Sequence, residues 1–174
     1  MNVFYLHPLP KVAASMHCDK HVGKMLVETC QLLATAHHVY GNGHAVTYKP
    51  THQNHPSAIW CRQSRLHYSY LVDLALGLGQ EFYKRYGKHH KSHGVLVDQL
   101  LQPPTAMYSL PLIWRTPLLA MPDEFKCDDA LTAYRNYYAS KIDKMPMVWY
   151  KGERHPPLWL SDIWNARMSN MEAI

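Results

Sequence analysis

DKHVGKMLVETCQLLATAHH, residues Asp19 to His38, is the stretch that decides the fold. Its polar members His21, Lys24, Glu28, Gln31, Thr35 and His38 recur at steps of three or four, which places them in one stripe on a helix. Val22, Met25, Leu26, Thr29, Leu32, Leu33 and Ala36 form an apolar stripe beside it, as a core-facing helix requires. An acid, an imidazole and an amine thus line the edge of a buried face, the placement that would make this helix the wall of a reaction site. The plainer reading is an amphipathic helix carrying a Lys24–Glu28 ion pair, worth only about 0.2–0.5 kcal/mol.

Outward from this helix, the chain reads as mainly α. An extended apolar lead over Val3–Leu6 ends in His7-Pro8-Leu9-Pro10, and a short helix over Lys11–His17 follows. Asp19 is the expected N-cap of the motif helix, which stops near Gly41-Asn42-Gly43. After a loop to His55, Pro56 fits the first turn of a long helix from Ser57 to Tyr86, ended by Gly87. Gly77 and Gly79 within it would bend the helix or admit a close neighbour. Ser92 is the expected cap of a helix over His93–Leu101, and Asp128-Asp129 open another from Ala130 to Lys144. Between them Gln102–Pro122 holds five prolines and cannot be a continuous helix. It reads as a long ordered loop packed by Met107, Tyr108, Leu110, Leu112, Ile113, Trp114 and Leu118, or as a mobile cover.

At 174 residues the chain has the length of one domain, 1–174, with enough material for a real core. With 47% hydrophobic and 18% charged residues it is globular rather than disordered. A formal charge of +5, with thirteen histidines in reserve, suits a polyanionic partner. No apolar run approaches a membrane span and no signal-peptide pattern opens the chain, so a cytoplasmic protein without a membrane partner is expected. Cys18, Cys30, Cys61 and Cys127 lack a CxxC pair and read as small core residues. His17-Cys18 with His21, His52 with His55, and His89-His90 with His93 are the nearest approaches to ligand sets. None has a zinc spacing, so neither a metal nor a cofactor is expected.

Three further segments carry chemistry. His52, Asn54 and His55, with Arg62 behind them, stand at a helix start, where imidazole, amide and free N–H groups can hold phosphate. Capping of the loop by Thr51 and Asn54 is the equal alternative. Asp123 and Glu124 read as helix-end partners, and Arg135 among Tyr134, Tyr137 and Tyr138 offers either a base-stacking surface or ordinary core. Trp149-Tyr150-Lys151, with Arg154, forms an aromatic–basic loop suited to a nucleic-acid backbone or a base step.

The opening Met1-Asn2-Val3-Phe4, the run Cys18-Asp19-Lys20-His21-Val22 with Lys24-Met25 and Glu28, the Lys49–Pro56 loop and Ala133–Tyr138 resemble a group of small bacteriophage proteins over most of the chain. More distantly, Asp19-x-His21 with Glu28 seven residues on, and Trp149-Tyr150-Lys151, resemble the phage pyrimidine-dimer DNA glycosylase/AP lyase of endonuclease V type. That resemblance implies a helical domain in the host cytoplasm that grips DNA, extrudes a nucleotide and cleaves its glycosidic bond. Glu28 would stabilise the electron-deficient C1′, and His21 would orient Glu28 or a phosphate. Lys20, Lys24, Arg62, Arg65, Lys151 and Arg154 would contact phosphates. In the family the attacking amine belongs to a threonine exposed by methionine removal. Here position 2 is the bulkier Asn2, which disfavours removal, so the amines to consider are those of Met1 and Lys24. A water activated by Glu28 would instead give a glycosylase without lyase activity. The alternatives are a non-catalytic phage protein that binds host protein or nucleic acid, and a hydrolase of free nucleotides or nucleosides.

Overall fold

The computed structural model describes residues 1–162, 164 and 165, and it is all helical, with no strand among them. Among the described residues the fold is carried by α1 (Pro10–Met16), α2 (Asp19–Val39), α3 (Pro56–Gln63), α4 (Arg65–Tyr86), α5 (Lys91–Val95) and α6 (Ala130–Ala139), and residues 158–162 are helical as well. The apolar stripe of α2 is buried throughout, Val22, Met25, Leu26, Thr29, Leu32, Leu33 and Ala36 included, and packs chiefly against α4. α1 lies across α4 at Gly77, where a Cβ would come within 2.9 Å of that of Ala14. Gly77 therefore serves close approach rather than a bend, and Gly79 does the same beneath the ring of His93.

The extended lead is buried, with Val3 and Leu6 at 0% exposure, yet pairs with no strand. Side chains satisfy much of its backbone instead. Asn2 Oδ1 accepts from the amides of Val3 and Phe4, Arg135 Nε donates to the Leu6 carbonyl, and the Tyr70 hydroxyl donates to that of His7.

Several expectations are corrected. Asp19 does not cap α2. The cap position is Cys18, and Asp19, the first helical residue, is buried and receives Arg85 Nη1 at 3.1 Å and the amides of Tyr150 and Lys151 at 3.0 and 3.2 Å. The helix expected over 57–86 breaks at Ser64, whose extended backbone (φ −155°, ψ 146°) ends α3 while its hydroxyl accepts the Leu66 amide to start α4. His90 rather than Ser92 caps α5, which continues as a π turn over Leu96–Leu100. α6 stops at Ala139 and tightens into a 3-10 turn, Ser140–Asp143. The proline-rich segment has a 3-10 turn at Thr105–Ser109, and Pro104, Met107, Pro117 and Met121 are its buried apolar residues, Met107 fully so. Tyr108, Leu112, Ile113, Trp114 and Leu118 are exposed. Cys127 is exposed as well, whereas Cys18, Cys30 and Cys61 lie in the core as expected.

Arg85 joins these parts. Its side chain has no solvent exposure, and its five donor contacts reach Glu81 Oε2 (twice), Asp19 Oδ1 and the carbonyls of His17 and Ser15. Arg154 closes the second side of Glu81 with bonds of 2.9 and 2.6 Å. Burial alone would raise the Glu81 carboxyl, but Arg154 and Arg85 outweigh it and hold the group below the usual range. Replacing Arg85 with Met is expected to leave buried Asp19 without its cationic partner, while Glu81 keeps Arg154, and to cost about 3–5 kcal/mol. Urea denaturation of the R85M variant measures this, and a loss below 1 kcal/mol would refute the role assigned to Arg85.

Phe4, His17, His21 and Tyr138 form an aromatic cluster between α1, α2 and α6. Burial, the main cause, pushes His17 down to about 4 and His21 down to about 3, the neighbouring His17, Lys24 and Lys141 adding to the effect at His21. Both rings are thus neutral in the fold, while unfolded histidine titrates near about 6.5. As pH falls below that value the unfolded chain takes up protons first, so stability present at neutral pH is lost on the way to pH 4. The slope should approach about 1.4 kcal/mol per pH unit for each ring. Melting curves between pH 7 and 5 check this, and His21→Phe should flatten the slope; an unchanged slope would contradict it.

Candidate functional site

The polar stripe of α2 lies as its spacing requires, with Lys24 exposed, Glu28 half-buried and His21 buried. Together they form one wall of a cavity of about 290 Å³, closed on the other sides by Met1, Asn2 and Phe4 and by Tyr137, Lys141, Lys144 and Met145. The opening residues and the end of α6 thus meet over the middle of α2.

Among the described residues Glu28 is the only acid of the lining. Its Oε2 accepts the Asn2 amide at 2.9 Å and lies 3.8 Å from the Met1 α-nitrogen, while Oε1 lies 3.9 Å from Lys24 Nζ. Two amines therefore flank one carboxylate at nearly equal distance. The Lys24 pair alone would be a weak surface pair, since the lysine side chain is 59% exposed. What distinguishes the group is that the carboxylate is only 16% exposed and held by a backbone N–H from a distant segment.

His21 does not bond Glu28. Its Nδ1 faces the Tyr138 hydroxyl at 3.0 Å, and its ring stacks on Phe4 at 5.6 Å. The Tyr138 oxygen already accepts the Cys18 amide, so its own proton is free for His21 Nδ1. This assignment places the proton of the neutral imidazole on Nε2, where it acts as a donor rather than as a base. Phe4 holds φ +47°, a left-handed conformation costing a bulky residue about 1–3 kcal/mol. The bonds of Asn2 and the ring contacts with His21, Tyr137 and Tyr138 maintain it.

The remaining candidates separate into groups. Lys20 is exposed on α2, one turn before Lys24. His55 caps α3 through Nδ1, which accepts the Ser57 amide, and its pKa is lowered by burial and then by the charge of the amino end, so the loop start lies in the field of the site. His52 and Asn54 are exposed, His52 in a left-handed turn (φ +46°) with Nδ1 2.6 Å from the Thr51 hydroxyl. No ligand-facing role follows from the other three cations of this set. Arg62 donates to the Gln53 carbonyl at 2.6 Å and ties down the loop, Arg65 lies over the Tyr108 ring, and Arg135 bonds Leu6 and covers Trp159.

The C-terminal candidates divide in the same way. Trp149 is not a wedge: it is 1% exposed, and its indole N–H donates to the Met16 carbonyl. Arg154 is committed to Glu81. Tyr150 is 65% exposed, and Lys151 is exposed with its amine over the Tyr86 ring, so these two candidates face outward as expected.

Sequence reasoning missed Asn2 and Phe4 as builders of the site, and also Tyr137, Lys141 and Lys144. The last three carry a readable signal, since steps of four and three put them on one face of a helix and its continuing turn. Lys141 Nζ sits 3.8 Å over the Tyr137 ring. Among the described residues no group of three or more His, Cys, Asp or Glu is placed to hold a metal ion, and no helix is long and apolar enough to cross a membrane.

No protein-family model, curated protein or solved structure matches this chain.

Proposed function

We propose that the cavity is the active site of a DNA-acting, base-excision-type glycosylase with Glu28 as its central carboxylate. The observation that carries this reading is the convergence of two amines and a backbone N–H on one poorly exposed carboxylate within a cavity lined by three lysines. That charge balance suits a phosphate-bearing sugar. The carboxylate would stabilise positive charge developing at C1′ as the glycosidic bond breaks, and the lysines would hold the flanking phosphates.

In the lyase variant of this chemistry, the Met1 or Lys24 amine attacks C1′ and the base leaves with the glycosidic electron pair and a proton. The opened sugar becomes an imine, and loss of a C2′ proton expels the 3′-phosphate. With water in place of the amine, the reaction stops at an abasic site. His21 Nε2–H is a donor to sugar or phosphate oxygen.

Duplex oligonucleotides carrying abasic sites or ultraviolet photoproducts, incubated with the protein and borohydride, test the reading. A covalent adduct mapping to Met1 or Lys24 is expected for the lyase variant, and alkali-labile sites without an adduct for the hydrolytic one. Glu28→Gln should lower turnover by at least about 10²-fold while DNA still binds. Neither adduct nor cleavage with any duplex would refute the assignment.

Lys20, Lys24, Lys141, Lys144 and Lys151 together would give a slope of about −4.5 for log affinity against log salt. A fluorescence titration of labelled duplex measures it. A slope near zero would instead indicate a free nucleotide or a protein as partner.

A further inference from the structure

We infer that Asn2 is the positioning residue of this site, its backbone N–H holding Glu28 while its side chain fixes the Phe4–His21 stack and ties the end of the proline-rich segment to the same residue. The inference rests on the reading of Glu28 as the reacting carboxylate. Asn2 is buried, at 6% exposure, and all of its polar groups that can act on the site are engaged. Oδ1 accepts the Val3 amide at 2.7 Å and the Phe4 amide at 3.0 Å, Nδ2 donates to the Ala120 carbonyl at 2.7 Å, and the backbone N–H donates to Glu28 Oε2 at 2.9 Å.

The two ends of the amide have separate tasks. The oxygen folds the backbone into a tight turn, which keeps Phe4 in its left-handed conformation and thereby holds the ring on which His21 stacks. The nitrogen reaches residue 120, so the segment from 102 to 122 is tied at its end to the wall of the cavity rather than lying over it. Ala120 is further fixed by its own amide, which points to the Tyr134 hydroxyl at 3.4 Å. A shift at Ala120 therefore reaches the Asn2 amide, and through it Glu28, across a single side chain.

Two variants separate these tasks, and both keep a bulky second residue so that Met1 stays in place. Asn2→Leu removes acceptor and donor at similar size. Asn2→Asp keeps the acceptor for the turn and loses the donor to Ala120. The first readout is hydrogen–deuterium exchange of peptides covering 2–6 and 117–122, which needs no activity. Exchange over 117–122 should rise in both variants, and exchange over 2–6 in Asn2→Leu only. The second is single-turnover cleavage of an abasic duplex at saturating DNA. In Asn2→Leu the rate should fall about 10²-fold, the scale of a reacting group displaced by roughly an ångström, with DNA affinity unchanged.

Unchanged exchange in both regions would overturn the proposal, as would an Asn2→Leu rate within threefold of the parent. If the parent protein cleaves no duplex, the glycosylase reading falls while exchange still decides whether Asn2 couples the two segments.

Discussion

Arg85 is a guanidinium shut off from water, and the scaffold under the candidate site is arranged around keeping it satisfied. A buried charge left unpaired costs several kcal/mol, so its partners must arrive together or not at all. They come from four places: Glu81 one turn away on α4, carbonyls at the end of α1, Asp19 at the start of α2, and through Glu81 the Arg154 of the C-terminal loop. Asp19 then uses its second oxygen to order the backbone at Tyr150 and Lys151. The first turn of α2 is thereby fixed in position and rotation. Glu28 lies nine residues further along the same helix, so a rigid helix start transmits that placement to the cavity.

The same network explains an unusual use of Asp19. At a helix start, a short acid ordinarily accepts free amides of its own helix and lies exposed. Here it faces inward and accepts amides from a segment more than a hundred residues away. Its negative charge still sits at the positive end of α2, so the electrostatic benefit of an acid in the first turn is kept while its hydrogen bonds serve tertiary structure.

How much could be read in advance follows the range of each interaction. The period of α2 is local, and both its stripes lie where spacing puts them. The all-helical class, the order of the elements and the close approaches at Gly77 and Gly79 were legible for the same reason. The break at Ser64 was not, because serine inside an apolar periodicity carries no strong stop signal, and its role as a cap depends on α3 and α4 packing in different directions. Arg85 carries no signal in the sequence, and Arg154 reads there as a phosphate contact, since the partners that hold them are 66 and 73 residues distant. Within the site, Glu28, His21, Lys24 and Met1 were named from the helix stripe and the resemblance, whereas Asn2 was seen only as a departure from a family pattern. Its side-chain bond to Ala120 closes over 118 residues, a distance at which one sequence carries no pairing signal.

That separation bears on how the chain reaches its native form. Translation makes the lead before its anchors, which lie far downstream: Ala120 for Asn2, Arg135 for Leu6, and Trp149 for the end of α1. During synthesis the apolar lead Val3–Leu6 therefore stays without these bonds until Arg135 has been made. α2 and α4 can pair early, since their contacts need no residue beyond 86. The cavity is completed only when the two ends of the chain close over that pair. The order of assembly is thus scaffold first and cavity last, which keeps a half-made protein from presenting the candidate site at all.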